Sequence, residues 1–322
     1  MFEIIKYTSD KKEKWDNFVN KSKNGSFLLN RDFVEYHNDR FIDYSLLIYD
    51  RKEKLLAVLP ANLHENNLYS HQGLSYGGLV LNKNVKLYSV IFIFKAILEY
   101  LHRNQIKLIY YKKIPHFYNE YNSEEDEYIF FRLKANTFRI DTSLTIDYNC
   151  ILPFQKRRER EIKKAKKNNL KLLFDDSFDV FWNTILTPNL LKRFNKKPVH
   201  SLEEIIKLKS LFNNNIVQVN VLDENKTVVA GTTLFITGKV IHSQYISTNE
   251  LGKKLGAIDY LFSELINHYS NDYRYFDFGI CNENDGLSIN KGLLDWKEGF
   301  GARTHLHKFF EIKTSNYNLL ND

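Results

Sequence analysis

The sequence has few of the residues that cross-link, break or bend a chain. Its 322 residues include two cysteines, Cys150 and Cys281, and only five prolines. Two cysteines cannot build the disulfide framework of a small secreted domain, and their scarcity fits a reducing compartment. Five prolines and thirteen glycines also argue against a linker-rich or disordered chain. We therefore expect folded domains without disulfides.

Long apolar runs are missing as well. The most apolar stretch, VIFIFKAILEYL from Val90, is interrupted by Lys95 and Glu99 and is too short to cross a bilayer. The first residues, MFEIIKYTSDKKEKW, contain no apolar core of a signal peptide. We expect a cytoplasmic protein without a transmembrane segment, which leaves peripheral membrane association open. We also expect no metal site and no bound cofactor.

One segment carries most of the positive charge. The chain has a net charge of +7, and residues 156–167, KRREREIKKAKK, hold eight basic and two acidic residues. A basic patch this local indicates an anionic partner such as a phosphate, a nucleotide or RNA. Helical spacing places Arg157, Arg160 and Lys164 on one face, opposite Ile162. The alternative is a solvated helix face with internal Glu–Arg pairs.

The sequence contains an internal duplication. Segments that begin at Leu47 and Asn220 align without a gap at a constant offset of 173, so that Asp50 meets Asp223. Both segments read as three strands joined by tight polar turns, and each is followed by a helix and a further strand. The two halves therefore share a β-β-β-α-β core.

This duplication predicts the domain organisation. We expect residues near 47–76 and 220–249 to form equivalent three-stranded units. The predicted fold class is α/β (α+β), with two tandem domains over 1–150 and 151–322. Each domain is expected to be a mixed, mostly antiparallel sheet flanked by helices.

The helix of the second half is strongly periodic. The apolar stripe of a helix packed on a sheet is formed by Ile258, Leu261, Phe262, Leu265, Ile266 and Tyr269. The preceding stretch, LGKKLGA, places Lys253, Lys254 and Gly256 where backbone N–H groups of a helix start are unpaired. Such a helix start binds phosphate or carboxylate. The alternative is a strand-to-helix turn with its lysines in solvent.

The order of strands, helices and turns resembles the GNAT acyltransferase fold. Two such units in tandem, with a basic helix at the start of the second, resemble the FemAB-type branch of that superfamily. Three stretches carry the resemblance, which covers nearly the whole chain: QKRREREIKKAKKNNLKL, YISTNELGKKLGAIDYLFSELI and NKGLLDWKEGFGA. The resemblance implies an acceptor side in the first domain, and a donor side with the catalytic residues in the second.

The last of these stretches contains a candidate catalytic residue. In Fem-type peptidyltransferases an aromatic residue and a lysine, shortly before a Phe-Gly turn, lie in the donor channel, where the lysine counters charge on the reacting acyl group. Trp296 and Lys297 fit this pattern, so the resemblance implies that they bind and activate the donor. Acyl transfer passes through an oxyanion that a fixed ammonium stabilises. Gly299 and Gly301 would end the helix.

Acyl transfer to an amine also needs a base that takes the proton from the amine. Asp277, in YRYFDFGI, alternates with the apolar Phe276 and Phe278 and is therefore a candidate to face a cleft. Glu283, just after that strand, is the other candidate. The alternative for each carboxylate is a structural hydrogen bond in a loop or at a sheet edge.

Candidate acceptor-binding residues occur in both halves. The resemblance places the acceptor against the first domain and the groove beside it. The candidates are polar residues on or after the third strand of each half and arginines of the basic helix: His71, Gln72, Tyr76, His242, Gln244, Tyr245, Arg157, Arg158 and Arg160. For the strand residues, a backbone bend with a satisfied histidine is the alternative.

The resemblance does not settle the acyl donor. Ordinary GNAT enzymes bind the pyrophosphate of acetyl-CoA with Arg or Gln, two residues, Gly, one residue, and then Gly or Ala. The best match here begins at Lys253 and supplies Gly256, but has Ile258 at the last small position. Acyl-CoA and aminoacyl-tRNA are therefore both candidate donor substrates.

The sequence thus predicts a cell-envelope N-acyltransferase of polysaccharide biosynthesis. The expected acceptor is an amine on a bacterial surface-glycan precursor, a nucleotide- or lipid-linked amino sugar or peptide, whose diphosphate the basic helix would hold. One alternative is an aminoacyl-tRNA-dependent ligase of peptidoglycan cross-bridges. Another, from a different class, is a non-catalytic RNA- or glycan-binding pseudo-GNAT protein. No DNA partner is expected.

Overall fold

The structure is a computed structural model, and it describes residues 2–321. By its internal contacts the chain forms two compact units. Unit 1 extends to Asp141 and also contains Asp285–Leu287 and the chain from Leu306 onward, whereas unit 2 contains Thr142–Asn284 and Ser288–His305. The domain bounds expected from the sequence, 1–150 and 151–322, stay a prediction.

Strands and helices alternate along the chain. The strands are β1 Glu3–Lys6, β2 Ile42–Asp43, β3 Leu46–Tyr49, β4 Leu55–Leu59, β5 Asn62–His64, β6 Asn67–Tyr69, β7 Val80–Leu81, β8 Leu108–Lys112, β9 Asn136–Asp147, β10 Lys171–Asp175, β11 Ile216–Leu222, β12 Val228–Thr237, β13 Val240–Thr248, β14 Tyr275–Ile280, β15 Asn282–Glu283, β16 Ser288–Ile289 and β17 Arg303–Lys313. The α-helices are α1 Lys12–Asn20, α2 Arg31–Val34, α3 Leu87–Arg103, α4 Glu125–Arg132, α5 Lys156–Lys167, α6 Asp179–Phe181, α7 Thr187–Phe194, α8 Leu202–Leu211, α9 Glu250–Leu255, α10 Ala257–Tyr269 and α11 Lys291–Glu298. No helix of residues 2–321 is long and apolar enough to cross a membrane.

Unit 1 is built on two groups of paired strands. One is antiparallel, in the order β1-β3-β4-β7, and in the other the order is β2-β5-β6-β8 with the C-terminal part of β17 beside β8. All of these pairs are antiparallel except β6 and β8, which run parallel. Helix α3 buries its apolar face against these strands and contributes Phe94, Ile97 and Leu101 to the core of unit 1.

Unit 2 has strands in the order β10-β11-β12-β13-β14, with residues 142–147 of β9 beside β14. Again one pair, β13 and β14, is parallel and the others are antiparallel. Helix α10 packs on one face of this sheet, and its predicted stripe is confirmed because five of the six stripe residues are buried and Ile258 is partly buried. The mixed, mostly antiparallel fold class expected from the sequence is confirmed.

The duplication is visible in the hydrogen bonds of equivalent turns. Asp50 Oδ1 accepts hydrogen bonds from the N–H groups two and four residues later, at 2.8 and 3.0 Å. Asp223 Oδ1 accepts from the equivalent N–H groups at 2.9 and 2.8 Å. Glu53 and Lys226, which are also 173 residues apart, both have positive φ angles of 59° and 62°. The predicted offset is therefore confirmed at these turns.

The strand register agrees with the same offset. Leu63 pairs with Leu68 in unit 1, and the equivalent residues Ile236 and Ile241 pair in unit 2. The offset is confirmed as far as Tyr69 and its equivalent, His242. Beyond this point the predicted equivalence, which extended to residues near 76 and 249, is wrong. Strand β13 continues to residue 248, whereas β6 ends at residue 69.

The turn near residue 300 is formed as the sequence predicts. Helix α11 ends at Glu298, and Gly301 has a φ of 85°, in the left-handed region that favours glycine. A Cβ atom at Gly301 would lie 2.7 Å from the carbonyl oxygen of Leu152. A side chain at residue 301 is therefore excluded by both conformation and packing.

Candidate functional site

Two parallel strands of unit 2 pair only where they begin. Strands β13 and β14 pair over Val240–His242 and Tyr275–Asp277. Beyond these residues β13 continues to Thr248 and β14 to Ile280, and within residues 2–321 no pairing joins these two ends. Strand edges that do not pair leave backbone N–H and C=O groups that need other partners. The strands thus form a gap, and His242 and Asp277 lie at its closed end.

His242 and Asp277 are hydrogen-bonded at this closed end. His242 Nδ1 lies 2.8 Å from Asp277 Oδ2. The Asp277 side chain is 3% exposed and the His242 side chain is 20% exposed. Because an ionised carboxylate only accepts, Nδ1 of the neutral imidazole carries the proton and Nε2 carries the free lone pair. The pair therefore has the geometry of an oriented proton acceptor.

Several donors hold the buried carboxylate of Asp277. Its Oδ1 accepts hydrogen bonds from Ser143 Oγ at 2.6 Å, from Thr145 Oγ1 at 3.3 Å and from the N–H of Gly279 at 2.9 Å. A buried carboxylate is costly unless its oxygens are hydrogen-bonded. These donors compensate that cost and fix the rotamer that presents Oδ2 to His242.

Strand β14 contains a β-bulge directly after Asp277. Its register with β9 shifts between Asp277 and Ile280, and Gly279 has a φ of 75°. A Cβ atom at Gly279 would lie 3.2 Å from His242 Cε1, a tight contact. The left-handed conformation and the nearby imidazole together explain why a glycine occupies this position.

Lys297 lies inside unit 2, close to this bulge. Its Nζ donates hydrogen bonds to the carbonyl oxygens of Gly279 and Ile280, both at 2.9 Å, and the residue is 2% exposed. Burial lowers the pKa of Lys297, while Cys281 and Asp277 act in the opposite direction. Lys297 therefore contacts the polypeptide next to the pair formed by His242 and Asp277.

Trp296 packs within an aromatic cluster of the core. Its ring makes T-shaped contacts with Phe262, Phe278 and Phe300, at centroid distances of 5.1, 5.6 and 5.4 Å. Its indole N–H donates to Asp259 Oδ1 at 2.8 Å. These contacts give Trp296 a packing role, and its assignment to the acyl donor stays a prediction.

Arg158 also lies inside unit 2 instead of on the exposed, positively charged side of α5. Its Nη1 lies 2.6 Å from both carboxylate oxygens of Asp259. Burial raises the pKa of Asp259, and the bonds from Trp296 and Arg158 oppose this shift. Arg158 faces inward because it shares the buried side of α5 with Ile162 and Ala165, as its i, i+4, i+7 spacing requires.

The outer side of α5 carries a row of cations. Arg160, Lys163, Lys164 and Lys167, here called the basic face, line a groove of about 290 Å³ together with Asn168. Their spacing of three, four and seven residues places them on one side of the helix. Ile162 and Ala165 are buried on the opposite side, as predicted, but Arg158 is buried with them.

Arg157 lies beside α11 at the start of the same helix. Its Nη2 is 3.7 Å from Asp295 Oδ2, and both side chains are about half exposed or more, at 49% and 71%. An exposed ion pair of this length is weak. Arg157 therefore stays available to an anionic ligand.

The predicted phosphate-binding stretch before α10 is mostly the short helix α9, and Lys253 and Lys254 lie in its last turn instead of at a helix start. Asn249 caps α9 by accepting a hydrogen bond from the N–H of Gly252 at 2.8 Å. Gly256, with a φ of 76°, joins α9 to α10, and a Cβ atom there would lie 2.7 Å from the carbonyl oxygen of Glu161. Lys253 is paired with the neighbouring Glu250, while Lys254 is exposed. The close approach of α5 to this turn therefore explains why residue 256 is a glycine.

In unit 1 the equivalent strand opening is filled by the chain itself. After β6, the N–H of Ser70 donates to the carbonyl oxygen of Tyr110 at 2.9 Å, and Ser70 Oγ accepts from the N–H of Lys112 at 2.7 Å. The N–H of Gly77 donates to the carbonyl oxygen of Lys112 at 3.0 Å. Residues 70–77 therefore satisfy the edge of β8 that a ligand would otherwise meet.

Buried polar groups hold this segment in place. Lys112 Nζ donates to the carbonyl oxygens of Gln72 and Leu74, at 3.0 and 2.8 Å, and burial, followed by the charge of Arg139, lowers the pKa of Lys112 to about 8. His71 is 2% exposed with a φ of 68°, and burial is the main cause that lowers its pKa to about 3.

The other two residues of unit 1 that were predicted to bind the acceptor, Gln72 and Tyr76, also make hydrogen bonds within the protein. The amide of Gln72 accepts from Asn62 Nδ2 at 2.7 Å, and the hydroxyl of Tyr76, which is 4% exposed, donates to Ser26 Oγ at 3.0 Å. Their roles in acceptor binding stay predictions.

The other candidates of unit 2 lie around the gap or beyond it. Tyr245 is buried, its hydroxyl lies 2.5 Å from His200 Nδ1, and burial raises its pKa to about 12. Gln244 lies at a register shift between β12 and β13 and is partly buried. Glu283 is exposed in β15 and accepts a hydrogen bond from Asn290 Nδ2 at 2.9 Å.

The sequence interpretation missed the partners of Asp277. It named His242 and Asp277 for different tasks and did not name Ser143, Thr145 or Gly279. The signal for Ser143 and Thr145 is the alternation of polar and apolar residues in TSLTI, residues 142–146, which gives one polar side to this part of β9. The pairing of this side with Asp277 depends on strand order, which the sequence does not give.

Comparisons with solved structures identify the fold. FemX matches with a TM-score of 0.67 at 13% identity, over 97% of this chain and 98% of that chain. L-PGS from Bacillus licheniformis matches with a TM-score of 0.61 at 13% identity, over 96% and 95%. A tandem GNAT protein from the clavulanic acid biosynthesis pathway matches with a TM-score of 0.55 at 8% identity, over 98% and 99%. The chain therefore has a FemAB-like, tandem GNAT fold, and the predicted resemblance is confirmed at the level of fold.

Comparisons of sequence add no closer relative. No family model matches the chain. No curated protein matches it either.

Proposed function

We propose that the protein is an N-acyltransferase whose reaction takes place in the gap between β13 and β14 of unit 2. The observation that carries this proposal is the hydrogen-bonded pair of His242 and Asp277 where these two strands separate. An acyl donor laid in the gap would meet the backbone edge of β13 that β14 leaves without strand pairing, as an extended ligand does when it binds to a strand edge. The tandem GNAT fold supports the same class of reaction.

His242 acts as the general base in this proposal. The acceptor amine attacks the donor carbonyl carbon, a C–N bond forms, and Nε2 of His242 takes the proton that the amine loses. Asp277 stabilises the resulting imidazolium through Nδ1–H. The tetrahedral intermediate then collapses as the bond to the donor's leaving group breaks, and the imidazolium returns the proton to that group. In this proposal, backbone N–H groups of β13 beyond His242 stabilise the oxyanion.

Unit 2 is the catalytic unit in this proposal. The positions equivalent to His242 and Asp277 in unit 1 are Tyr69 and Tyr110, whose rings stack at 4.8 Å. Two tyrosines with ordinary or raised pKa values are poor bases at neutral pH, and burial raises the pKa of both. Unit 1 also fills its own strand opening, which in this proposal leaves donor binding to unit 2.

The proposed acceptor is an amine on a nucleotide- or lipid-linked precursor of a bacterial surface glycan. The basic face of α5, with Arg157 beside it, supports an acceptor that carries a diphosphate, because four cations on one helix side attract a multiply charged anion. The donor is acyl-CoA or aminoacyl-tRNA. The tandem GNAT protein of the clavulanic acid pathway, whose matched structure is the form without AcCoA, supports acyl-CoA as the donor. The resemblance to Fem-type ligases keeps the aminoacyl-tRNA-dependent ligase as the second candidate.

A product screen tests this proposal. The purified protein is incubated with acyl-CoA esters or charged tRNAs together with UDP-linked amino sugars and peptides, and mass spectrometry detects acylated products. The His242→Asn variant is the negative control, and Tyr69→Phe, at the equivalent position of unit 1, is the matched control. Products that form equally with His242→Asn would remove the proposed site from the reaction.

A further inference from the structure

A continuous set of hydrogen bonds links Lys297 to His242. Lys297 Nζ donates to the carbonyl oxygen of Gly279, the N–H of Gly279 donates to Asp277 Oδ1, and Asp277 Oδ2 lies 2.8 Å from His242 Nδ1. We propose that Lys297 is a positioning residue, which fixes the bulge of β14 and thereby the orientation of Asp277 and His242. This inference rests on the proposed function, in which His242 is the base.

The bulge explains why a cation is needed here. The register shift between Asp277 and Ile280 removes residues 278 and 279 from regular pairing with β9. Carbonyl oxygens that leave a ladder inside a protein need another donor. Lys297, on α11, donates to the carbonyl oxygen of Gly279 and to that of the next residue, Ile280, so one side chain holds two successive peptide carbonyls at the end of the bulge. The carboxylate of Asp277 accepts a hydrogen bond from the N–H of Gly279 in the same bulge.

The ammonium of Lys297 is buried and is directed to the protein backbone. It carries three N–H donors. Two are directed to the carbonyl oxygens of Gly279 and Ile280, and the neighbouring Cys281 favours the charged form of the ammonium. The residue is also 2% exposed. A role through Asp277 therefore fits the geometry better than direct contact with the acyl oxygen.

The positioning role predicts a change at His242 that can be seen without substrate. The full chain is labelled with ¹⁵N-histidine, and His242 is assigned among the ten histidines by its absence in the His242→Asn variant. In the wild type its signals should report a proton on Nδ1. In Lys297→Met they should move to the pattern of the Asp277→Asn variant, because Asp277 no longer fixes the tautomer. Lys291→Met, which removes an exposed lysine of the same helix, should leave them unchanged.

A neutral variant covers the case in which Lys297→Met does not fold. Lys297→Gln keeps N–H donors without the charge, so it should retain part of the wild-type His242 pattern if hydrogen bonding to the bulge is what matters. Wild-type His242 signals in a folded Lys297→Met protein, or a Lys297→Gln protein that is as perturbed as the Asp277→Asn variant, would overturn the inference.

Kinetics then separate positioning from direct catalysis. If Lys297 acts only through Asp277, the double variant Asp277→Asn, Lys297→Met should have a kcat/KM within about threefold of Asp277→Asn alone, because residues of one network are not additive. If the losses in kcat/KM of the two single variants multiply in the double variant, Lys297 acts directly in the reaction, and the inference is overturned. If the wild type transfers no acyl group at all, the proposed function fails, while the histidine spectra still decide whether Lys297 positions His242.

Discussion

The imidazole of His242 lies 2.8 Å from the carboxylate of Asp277, at the last pair of residues before β13 and β14 separate. The two residues are 35 positions apart in the chain, with α9 and α10 between them. Their contact depends on parallel pairing, in which the two residues are direct partners near the start of the strands, and beyond them the gap opens toward the C-terminal edge of both strands. Ligands of open α/β sheets commonly bind at such an edge.

Removal of the imidazole should abolish most of the activity without unfolding the protein. For His242→Asn we expect kcat to fall by about 10²- to 10⁴-fold, as for the loss of a general base. The melting temperature should fall only modestly, because asparagine keeps a polar N–H group at this partly buried position. Steady-state kinetics and a melting curve on the same preparation test this. An unchanged kcat would exclude His242 as the base.

Charge removal on the basic face should weaken binding of a diphosphate acceptor. For the double variant Arg160→Ala, Lys163→Ala we expect a higher Kd for a UDP-linked amino sugar, with a weaker dependence on salt than in the wild type. Isothermal titration at two salt concentrations measures both. The double variant Lys52→Ala, Lys54→Ala, in an exposed turn of unit 1, has the same loss of charge and should bind like the wild type.

Arg158 should matter for stability and not for acceptor binding. The Arg158→Ala variant leaves Asp259 buried without its ion-pair partner. Breaking a buried pair in this way costs about 3–5 kcal/mol. Denaturant unfolding should show this loss, whereas Arg157→Ala, which removes a neighbouring exposed guanidinium, should shift the midpoint only slightly. Equal stabilities of the two variants would contradict the buried pair.

Trp296 should behave as a core residue. Trp296→Ala removes a ring that contacts Phe262, Phe278 and Phe300, and we expect a loss of about 3–5 kcal/mol in the free energy of unfolding. Trp296→Phe keeps most of the ring contacts and loses the bond to Asp259, so it should cost less. A stable Trp296→Ala protein with only a raised KM for the donor would instead support the donor-channel interpretation.

Lys112, which holds residues 70–77 in place, should make the free energy of unfolding depend on pH in the alkaline range. Burial lowers the pKa of Lys112 to about 8, below the value of about 10.4 in an unfolded chain. Between these values the unfolded chain binds more protons, so this group destabilises the fold below pH 8 and the cost disappears as the pH rises. The contribution is at most about 3 kcal/mol.

A matched variant isolates this contribution. Lys112→Gln keeps N–H donors for the carbonyl oxygens of Gln72 and Leu74 but has no titrating charge. The stability of the wild type relative to this variant should rise between pH 7 and pH 9.5, measured by denaturant unfolding at each pH. A constant difference would show that Lys112 is not buried as a cation.

The sequence by itself determined the elements and their repetition, because these depend on neighbours along the chain. The stripe from Ile258 to Tyr269 defines α10, since a helix buries every third or fourth residue. Asp50 and Asp223 each form their turn from N–H groups within four residues, so their equivalence is readable from a constant offset. The basic outer side of α5 follows from spacing in the same way.

Only the tertiary structure decided which of the candidate residues meet. Arg158 and Arg157 are adjacent in sequence, yet one is buried against Asp259 and the other is exposed. Successive helix residues point about 100° apart, and α5 packs on α10 with the side that carries Arg158. His242, Asp277 and Lys297 come together through strand order, a bulge and the packing of α11. Contacts between distant segments depend on how their surfaces fit in three dimensions, and local residue patterns do not record that fit.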